Sequence, residues 1–126
     1  MSSLRDPLAV ARGLGSAKQG SAHWWAQRIS SAALLVLTPW FLGFMLSSIN
    51  AERYVIQAVL SRPINASLMI AWELALFWHA QQGLQVVIED YVHGRAEIPL
   101  QVLVKLLCSL GAIAAVIATL RIVFAA

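Results

Sequence analysis

Charged residues are scarce in this chain. They make up 12% of its 126 residues, whereas 60% are hydrophobic. A soluble domain of this length has too much surface to hide so many apolar side chains. The composition therefore excludes a soluble protein and indicates one that spans a lipid bilayer. The net charge of +3 is spread along the chain without a basic cluster, so we expect no nucleic-acid partner.

Cysteine is nearly absent. Cys108 is the only one, and it lies within an apolar run. A single cysteine excludes an internal disulfide, and no neighbour stands at metal-ligand spacing. Iron–sulfur clusters need several thiolates, and the sequence also lacks a nucleotide-binding loop. We therefore expect Cys108 to be a small buried hydrophobe, and the chain alone to have no enzymatic activity.

The apolar residues fall into three runs of the length that a bilayer core requires, about 20 residues each. They predict an all-α integral membrane protein whose three transmembrane helices occupy about 29–49, 66–88 and 100–120. Residues 1–28 form a polar leader and residues 29–126 a membrane anchor domain. We expect the leader to stay in the mature protein, because the first apolar run starts too late and is too long for a signal peptide.

Four segments depart from plain apolar helix. The small, polar residues 13–21 predict extended or irregular backbone, and Pro39 predicts a kink in the first span. Residues 50–65 predict an interfacial loop or a short helix on the membrane surface. Residues 89–99 predict a short polar connection with a turn at Gly94.

The basic residues also predict orientation. Six of the nine lie in the leader, in the 89–99 connection or just after it, at Lys105. Because basic residues near span ends favour the cytoplasmic side, we expect the N-terminus and the 89–99 connection inside.

The second apolar run is unusual because it carries polar side chains that lipid disfavours. These are Glu73, His79, Gln81, Gln82 and Gln85. Asp90 follows His79 by 11 residues, which in a helix returns it to within about 20° of the same side and about 16 Å along the axis. The pattern predicts one polar stripe, with a histidine deep in the membrane and an acid at the inner surface.

His79 has two interpretations. One is a buried histidine hydrogen-bonded to a neighbouring helix, and the other is an axial haem ligand in the core of a helical bundle. One histidine fills one axial position only. For a six-coordinate haem the second ligand would come from another chain, because His23 and His93 lie near the surface.

The neighbouring surface residues have alternatives as well. Asp90 and Tyr91 either cap the helix and anchor it at the interface, or form a quinone site in which the phenol donates to a carbonyl. Arg28 is either an anchor at the inner surface or a partner for anionic groups such as haem propionates, which a guanidinium suits.

Two motifs resemble a known family. His79, Gly83 and Asp90–Tyr91 form the pattern H-x3-G-x6-D-Y, which closely matches the second span of the small hydrophobic membrane anchor subunit of succinate dehydrogenase, in respiratory complex II. Residues 15–20 and the segment H-W-W-A-Q-R at 23–28 are similar to the leader of that family. The resemblance covers nearly the whole chain.

The resemblance implies partners, cofactors and site residues. The partners would be a cytochrome b-type anchor subunit, a flavoprotein subunit and an iron–sulfur subunit, in a bacterial inner membrane or, alternatively, a mitochondrial one. The two anchors would share one b-type haem, with His79 as an axial ligand and Arg28 near the haem propionates and the quinone pocket. His23 would be a second propionate neighbour, although the spacing of family members differs there. Tyr91 would bind ubiquinone, with Asp90 beside it in a proton network.

Three other functions stay open at this point. The chain could be a purely structural anchor, the anchor of a fumarate reductase that uses menaquinone, or a small transporter with Glu73 and His79 as a proton relay. The resemblance assigns no role to Trp72, Glu73 or Gln82. We expect these three to pack or to form interhelical hydrogen bonds, with Glu73 paired or protonated.

Overall fold

The fold comes from a computed structural model that describes the backbone of residues 17–125 and the side chains of residues 21–125. Within that range the chain forms four α-helices and one short 3-10 helix, and no strand. The α-helices are α1 (Ala17–Ser48), α2 (Arg53–Leu60), α3 (Pro63–Tyr91) and α4 (Glu97–Val123), and the 3-10 helix is Gly94–Ala96. The predicted all-α class is confirmed for these residues.

Helix α1 starts earlier than the sequence pattern indicated. It begins at Ala17, so the prediction of irregular backbone is wrong for residues 17–21, and residues 13–16 lie outside the described range. Alanine, lysine and glutamine at 17–19 all have high helix propensity, so they extend the helix ahead of its apolar part. Pro39 lies inside α1 and does not end it.

Helix α3 is also longer than its apolar run. Pro63 is its first residue, where a missing N–H costs nothing, and the helix continues through Tyr91. Residues 89–91 are therefore helical and the polar connection is shorter than predicted, because a hydrogen bond of 2.9 Å from Gln85 to Glu89 supports the last turns. The predicted turn is confirmed at Gly94, whose φ of 88° favours glycine.

Helix α2 resolves the alternatives for residues 50–65 in favour of a short helix. Leu60 at its end is buried, with 2% of its surface exposed. Gln57 and Ser61 donate side-chain hydrogen bonds to the carbonyls of Ala125 and Val123. These bonds satisfy acceptors that the end of α4 would otherwise leave open, and so α2 fixes that end.

Helix α3 is the central element, packed against both α1 and α4. Contacts that move forward along α1, at Ser30 and Thr38, move backward along α3, at His79 and Trp72, so the two helices are antiparallel. The ring of Phe77 on α3 lies against Gly111 of α4. Among the polar side chains of α3, those of Trp72 and His79 contact α1 and that of Glu73 contacts α4.

The distribution of polarity is inverted relative to a soluble protein. Side chains buried in the structure include Ser30, Glu73, Gln82 and Thr119, whereas large apolar side chains along the long helices are exposed. Such exposed apolar surface indicates contact with lipid or with other subunits. Two stretches, Ser21–Ser48 and Gly94–Val123, are long and apolar enough to cross a membrane, and α3 has the length but a more polar composition.

Candidate functional site

His79 lies at the contact between α3 and α1. Its Nδ1 is 3.0 Å from the hydroxyl of Ser30, which is completely buried. The same hydroxyl is 3.0 Å from the carbonyl oxygen of Gln27, one turn earlier in α1. The predicted hydrogen bond from His79 to a neighbouring helix is confirmed for Nδ1, whereas the side chain is half-buried and not fully buried as that interpretation expected. This contact occupies Nδ1, and which atom donates depends on which ring nitrogen of His79 carries the hydrogen.

An open groove of about 420 Å³ begins at His79. Apart from the histidine, its walls come from α1 and are mostly apolar: Ser31, Leu34, Leu35, Thr38, Pro39 and Leu42. A shallow apolar surface beside an imidazole can accept a flat apolar ligand between bundle helices. The groove therefore marks the part of the surface where a flat apolar group can reach His79.

Arg28 lies toward the N-terminal end of this groove. It is seven residues before Leu35, so the two share one side of α1 to within about 20°. Arg28 is exposed, and its guanidinium carbon is 5.2 Å from the ring centroid of Trp24, which gives a cation–π contact. The positive charge is thus held beside the groove without an acidic partner in contact among residues 21–125.

His23 faces a different direction from Arg28. It is seven residues before Ser30 and therefore lies on the side of α1 that faces α3. Its Nε2 is buried and has no hydrogen-bond partner among the described residues, and the same is true of Oε1 in Gln27 and in Gln82. Gln27 is one turn from Ser30 and Gln82 is one turn from His79. Both glutamines therefore lie near the Ser30–His79 pair, along the contact between α1 and α3.

Asp90 and Tyr91 are the last two residues of α3, and both are exposed. Asp90 lies on the side of α3 that carries His79, about 16 Å away along the axis, whereas Tyr91 is turned by about 120°. The Tyr91 side chain is 81% exposed. The structure therefore places both residues at one end of the helix and does not bring either into contact with His79.

The predicted interhelical hydrogen bonds of α3 are confirmed for two residues. Thr119 donates to Oε1 of Glu73 at 2.5 Å, and Trp72 donates to Thr38 at 3.2 Å. Trp72 also stacks on Phe41, with ring centroids 3.7 Å apart. Gln82 is buried, which agrees with a packing role. Glu73 therefore faces α4 whereas His79 faces α1, on sides of α3 about 120° apart.

The prediction for Cys108 is wrong, and the contact made by Ser30 was not predicted. Cys108 is only partly buried, so the prediction of a buried position is wrong. It lies at the edge of the contact between α4 and α3, beside Phe77 and Trp78, and not in its centre. Ser30 was missed entirely, because a serine in an apolar run carries no mark of the helix it will meet. Its only sequence signal is that hydroxyls in membrane helices often bond across helices.

The described residues contain no cluster of three or more His, Cys, Asp or Glu side chains that could hold a metal ion.

Comparison with known proteins gives the family. Residues 2–120 match the family described as succinate dehydrogenase/fumarate reductase transmembrane subunit. The chain belongs to this family. It is 40% identical over 88 residues to the succinate dehydrogenase hydrophobic membrane anchor subunit of Rickettsia bellii, which covers 70% of each chain. No solved structure gave a significant match.

Other anchor subunits match over comparable or longer stretches. The subunit of Rickettsia conorii is 33% identical over 113 residues, covering 88% of this chain and 90% of that one. The subunit of Paracoccus denitrificans is 34% identical over 88 residues, covering 70% and 68%. The resemblance inferred from the H-x3-G-x6-D-Y pattern is thereby confirmed. As a succinate dehydrogenase membrane anchor subunit, the chain works in a membrane together with the catalytic subunits.

Proposed function

We propose that the chain crosses a bacterial inner membrane three times, with its N-terminus in the cytoplasm, and that with a cytochrome b-type anchor subunit it holds one b-type haem and a ubiquinone site. Electrons from succinate would reach ubiquinone through a flavoprotein and an iron–sulfur subunit bound at the cytoplasmic face. Relatives in Rickettsia and Paracoccus support the bacterial location. The length of α3, 29 residues, supports the third span despite its polar side chains.

The observation that carries this proposal is the Ser30–His79 pair at the edge of the apolar groove. An axial histidine needs one ring nitrogen for the iron and a hydrogen-bond partner for the other, and His79 has that partner. The walls of the groove suit the apolar faces of a porphyrin. Bound at His79, the haem would supply a one-electron redox centre inside the membrane.

Arg28 supports the same placement. Its charge lies beside the groove toward the leader end of α1, where the two carboxylates of a haem would approach the aqueous surface. The guanidinium already rests on Trp24, so part of its conformational freedom is lost before a carboxylate binds. His23 would contribute from the α3-facing side, through the Nε2 that is buried and unpartnered in the described part of the chain.

The quinone site would lie at the cytoplasmic end of α3. The phenol of Tyr91 is exposed there and can donate a hydrogen bond to a quinone carbonyl, which becomes more negative as the quinone is reduced. Asp90, also exposed, can hold water or a proton next to that carbonyl. Remaining walls of the site would come from the partner subunits.

The haem proposal is tested with His79→Gln in the purified complex. We expect the dithionite-reduced spectrum of the wild-type complex to show a b-type band and the variant to lose most of it, because glutamine supplies no nitrogen lone pair to iron. His93→Gln is the matched control, since His93 is exposed in the loop after α3 and should leave the band unchanged. A wild-type complex without the band, or a variant that keeps it, would mean that the anchor does not ligate haem through His79.

A further inference from the structure

Ser30 forms a side-chain hydrogen bond with His79 that neither the sequence motifs nor the family assignment explains. None of its surface is exposed, and its Oγ is 3.0 Å from both Nδ1 of His79 and the carbonyl oxygen of Gln27. A polar side chain this deeply buried is costly unless its hydrogen bonds are satisfied. Ser30 satisfies both of its roles, as donor and as acceptor, with these two partners.

The direction of the Ser30–His79 and Ser30–Gln27 hydrogen bonds depends on which atoms carry the available hydrogens. A serine hydroxyl has one hydrogen to donate, and a neutral imidazole has one N–H. If Nε2 is to bind a metal, the N–H must be on Nδ1 and must donate to Ser30. The hydrogen of Ser30 is then free to bond the Gln27 carbonyl. The opposite direction, with Ser30 donating to Nδ1, would place the imidazole hydrogen on Nε2 and block metal binding.

A neighbouring serine shares the final acceptor. Ser31 also donates to the Gln27 carbonyl, at 2.7 Å, but it is exposed and has no contact of this kind with His79. A carbonyl oxygen accepts more than one hydrogen bond, and in a helix it commonly takes a serine hydroxyl in addition to the backbone N–H. Because this oxygen has two lone pairs and one takes the backbone N–H, the Ser30 and Ser31 hydroxyls share the other. When Ser30 holds it, the Gln27 carbonyl anchors Ser30 in the direction that ligation requires.

We infer that Ser30 is the positioning residue of His79: it accepts the Nδ1–H, holds the plane of the ring, and keeps the Nε2 lone pair directed to the groove. This inference rests on the proposed haem at His79. The hydrogen bond also makes the imidazole a stronger electron donor to a bound metal. Ser30 therefore contributes both to retention of the haem and to its reduction potential, without touching iron.

The test compares Ser30 variants in the whole purified complex. Ser30→Ala removes the acceptor, and Ser30→Cys keeps the side-chain size but accepts hydrogen bonds only weakly. Ser47→Ala is the matched control, because the Ser47 hydroxyl makes the same kind of bond in α1, to the Phe44 carbonyl at 2.8 Å, and is exposed. The measurements are the rate and extent of haem loss to a haem-scavenging protein and the haem midpoint potential.

We expect Ser30→Ala to weaken haem retention by roughly 10- to 100-fold, the usual effect of removing a partner of a metal-bound histidine. The midpoint potential should rise, because a less basic imidazole stabilises the oxidised iron less. Ser30→Cys should also raise the midpoint potential. If Ser30→Ala does not assemble, the midpoint potential is measured in Ser30→Cys. Ser47→Ala should match the wild type in both measurements.

Different results would contradict the role of Ser30 and the binding of haem by His79. A complex with haem in which the Ser30 variants match Ser47→Ala in retention and potential would overturn the role of Ser30 alone. A wild-type complex without haem, or one that keeps its haem when His79 is replaced, would overturn the ligand assignment and the Ser30 inference together.

Discussion

At the scale of single residues, the two proposed roles of α3 depend on different kinds of environment. His79 is held by a buried neighbour on α1, whereas Tyr91 is exposed at the helix end. A ligand must be held rigidly, and burial of Ser30 provides that rigidity. A residue that meets a diffusing substrate must be accessible, and the exposed phenol of Tyr91 meets that condition for its proposed role.

Replacing Tyr91 by phenylalanine tests the quinone role. The change removes one hydrogen-bond donor, so we expect ubiquinone reduction to fall about fivefold, the factor for a hydrogen bond of about 1 kcal/mol. Succinate oxidation with an artificial acceptor should stay near the wild-type rate. Tyr54→Phe is the matched control, because Tyr54 is an exposed tyrosine on α2. An equal loss of both activities in Tyr91→Phe would contradict a role in quinone binding.

At the scale of the elements, α3 and α4 approach closely where the ring of Phe77 packs on Gly111. A Cβ atom added at Gly111 would lie 2.6 Å from the ring of Phe77, well inside van der Waals contact. Membrane helices gain little from the hydrophobic effect, so such close packing and the Thr119–Glu73 hydrogen bond hold the pair together.

Gly111→Ala should therefore destabilise the helix pair. We expect a loss of about 1–3 kcal/mol from overpacking, seen as a lower midpoint in thermal denaturation of the detergent-solubilised complex. Gly43→Ala is the control: a Cβ there meets nothing within 4 Å, and alanine favours helix, so this variant should be neutral or slightly stabilising. If both variants behave alike, the Phe77–Gly111 contact does not limit the packing.

At the scale of the whole molecule, the arrangement of helices separates the two connections. Helix α3 is 29 residues long, which corresponds to roughly 43 Å, more than the roughly 30 Å of a hydrocarbon core. Its two ends would then lie on opposite sides of the membrane. The exposed apolar side chains of the long helices would contact lipid or the second anchor subunit.

This topology is tested by labelling single cysteines, introduced in a Cys108→Ser background, with a membrane-impermeant thiol reagent. We expect Glu52→Cys, before α2, to react from the periplasmic side. Ala96→Cys, after α3, should react only when the cytoplasmic side is opened. Both positions are exposed, which makes them a matched pair. Labelling of both from the same side would show that α3 does not cross the membrane.

Much of this protein is determined by the sequence alone, because the decisive properties are local. Long runs without charge predict long membrane helices, and the spacing of His79, Gly83 and Asp90–Tyr91 within one helix identifies the family. The ends of the helices were less predictable. Helix α1 begins at Ala17 and α3 ends at Tyr91, both outside the apolar runs. Residues of high helix propensity extend α1, and side-chain hydrogen bonds support the end of α3.

Only the tertiary structure decided which partner each polar side chain of α3 meets. Ser30 lies 49 residues before His79, and Thr119 lies 46 residues after Glu73. The register between two helices depends on how their whole surfaces interlock, which no single stretch of sequence encodes. For that reason the sequence could place a histidine in the membrane, but the packing of α1 on α3 was needed to show what holds it and where a ligand could reach it.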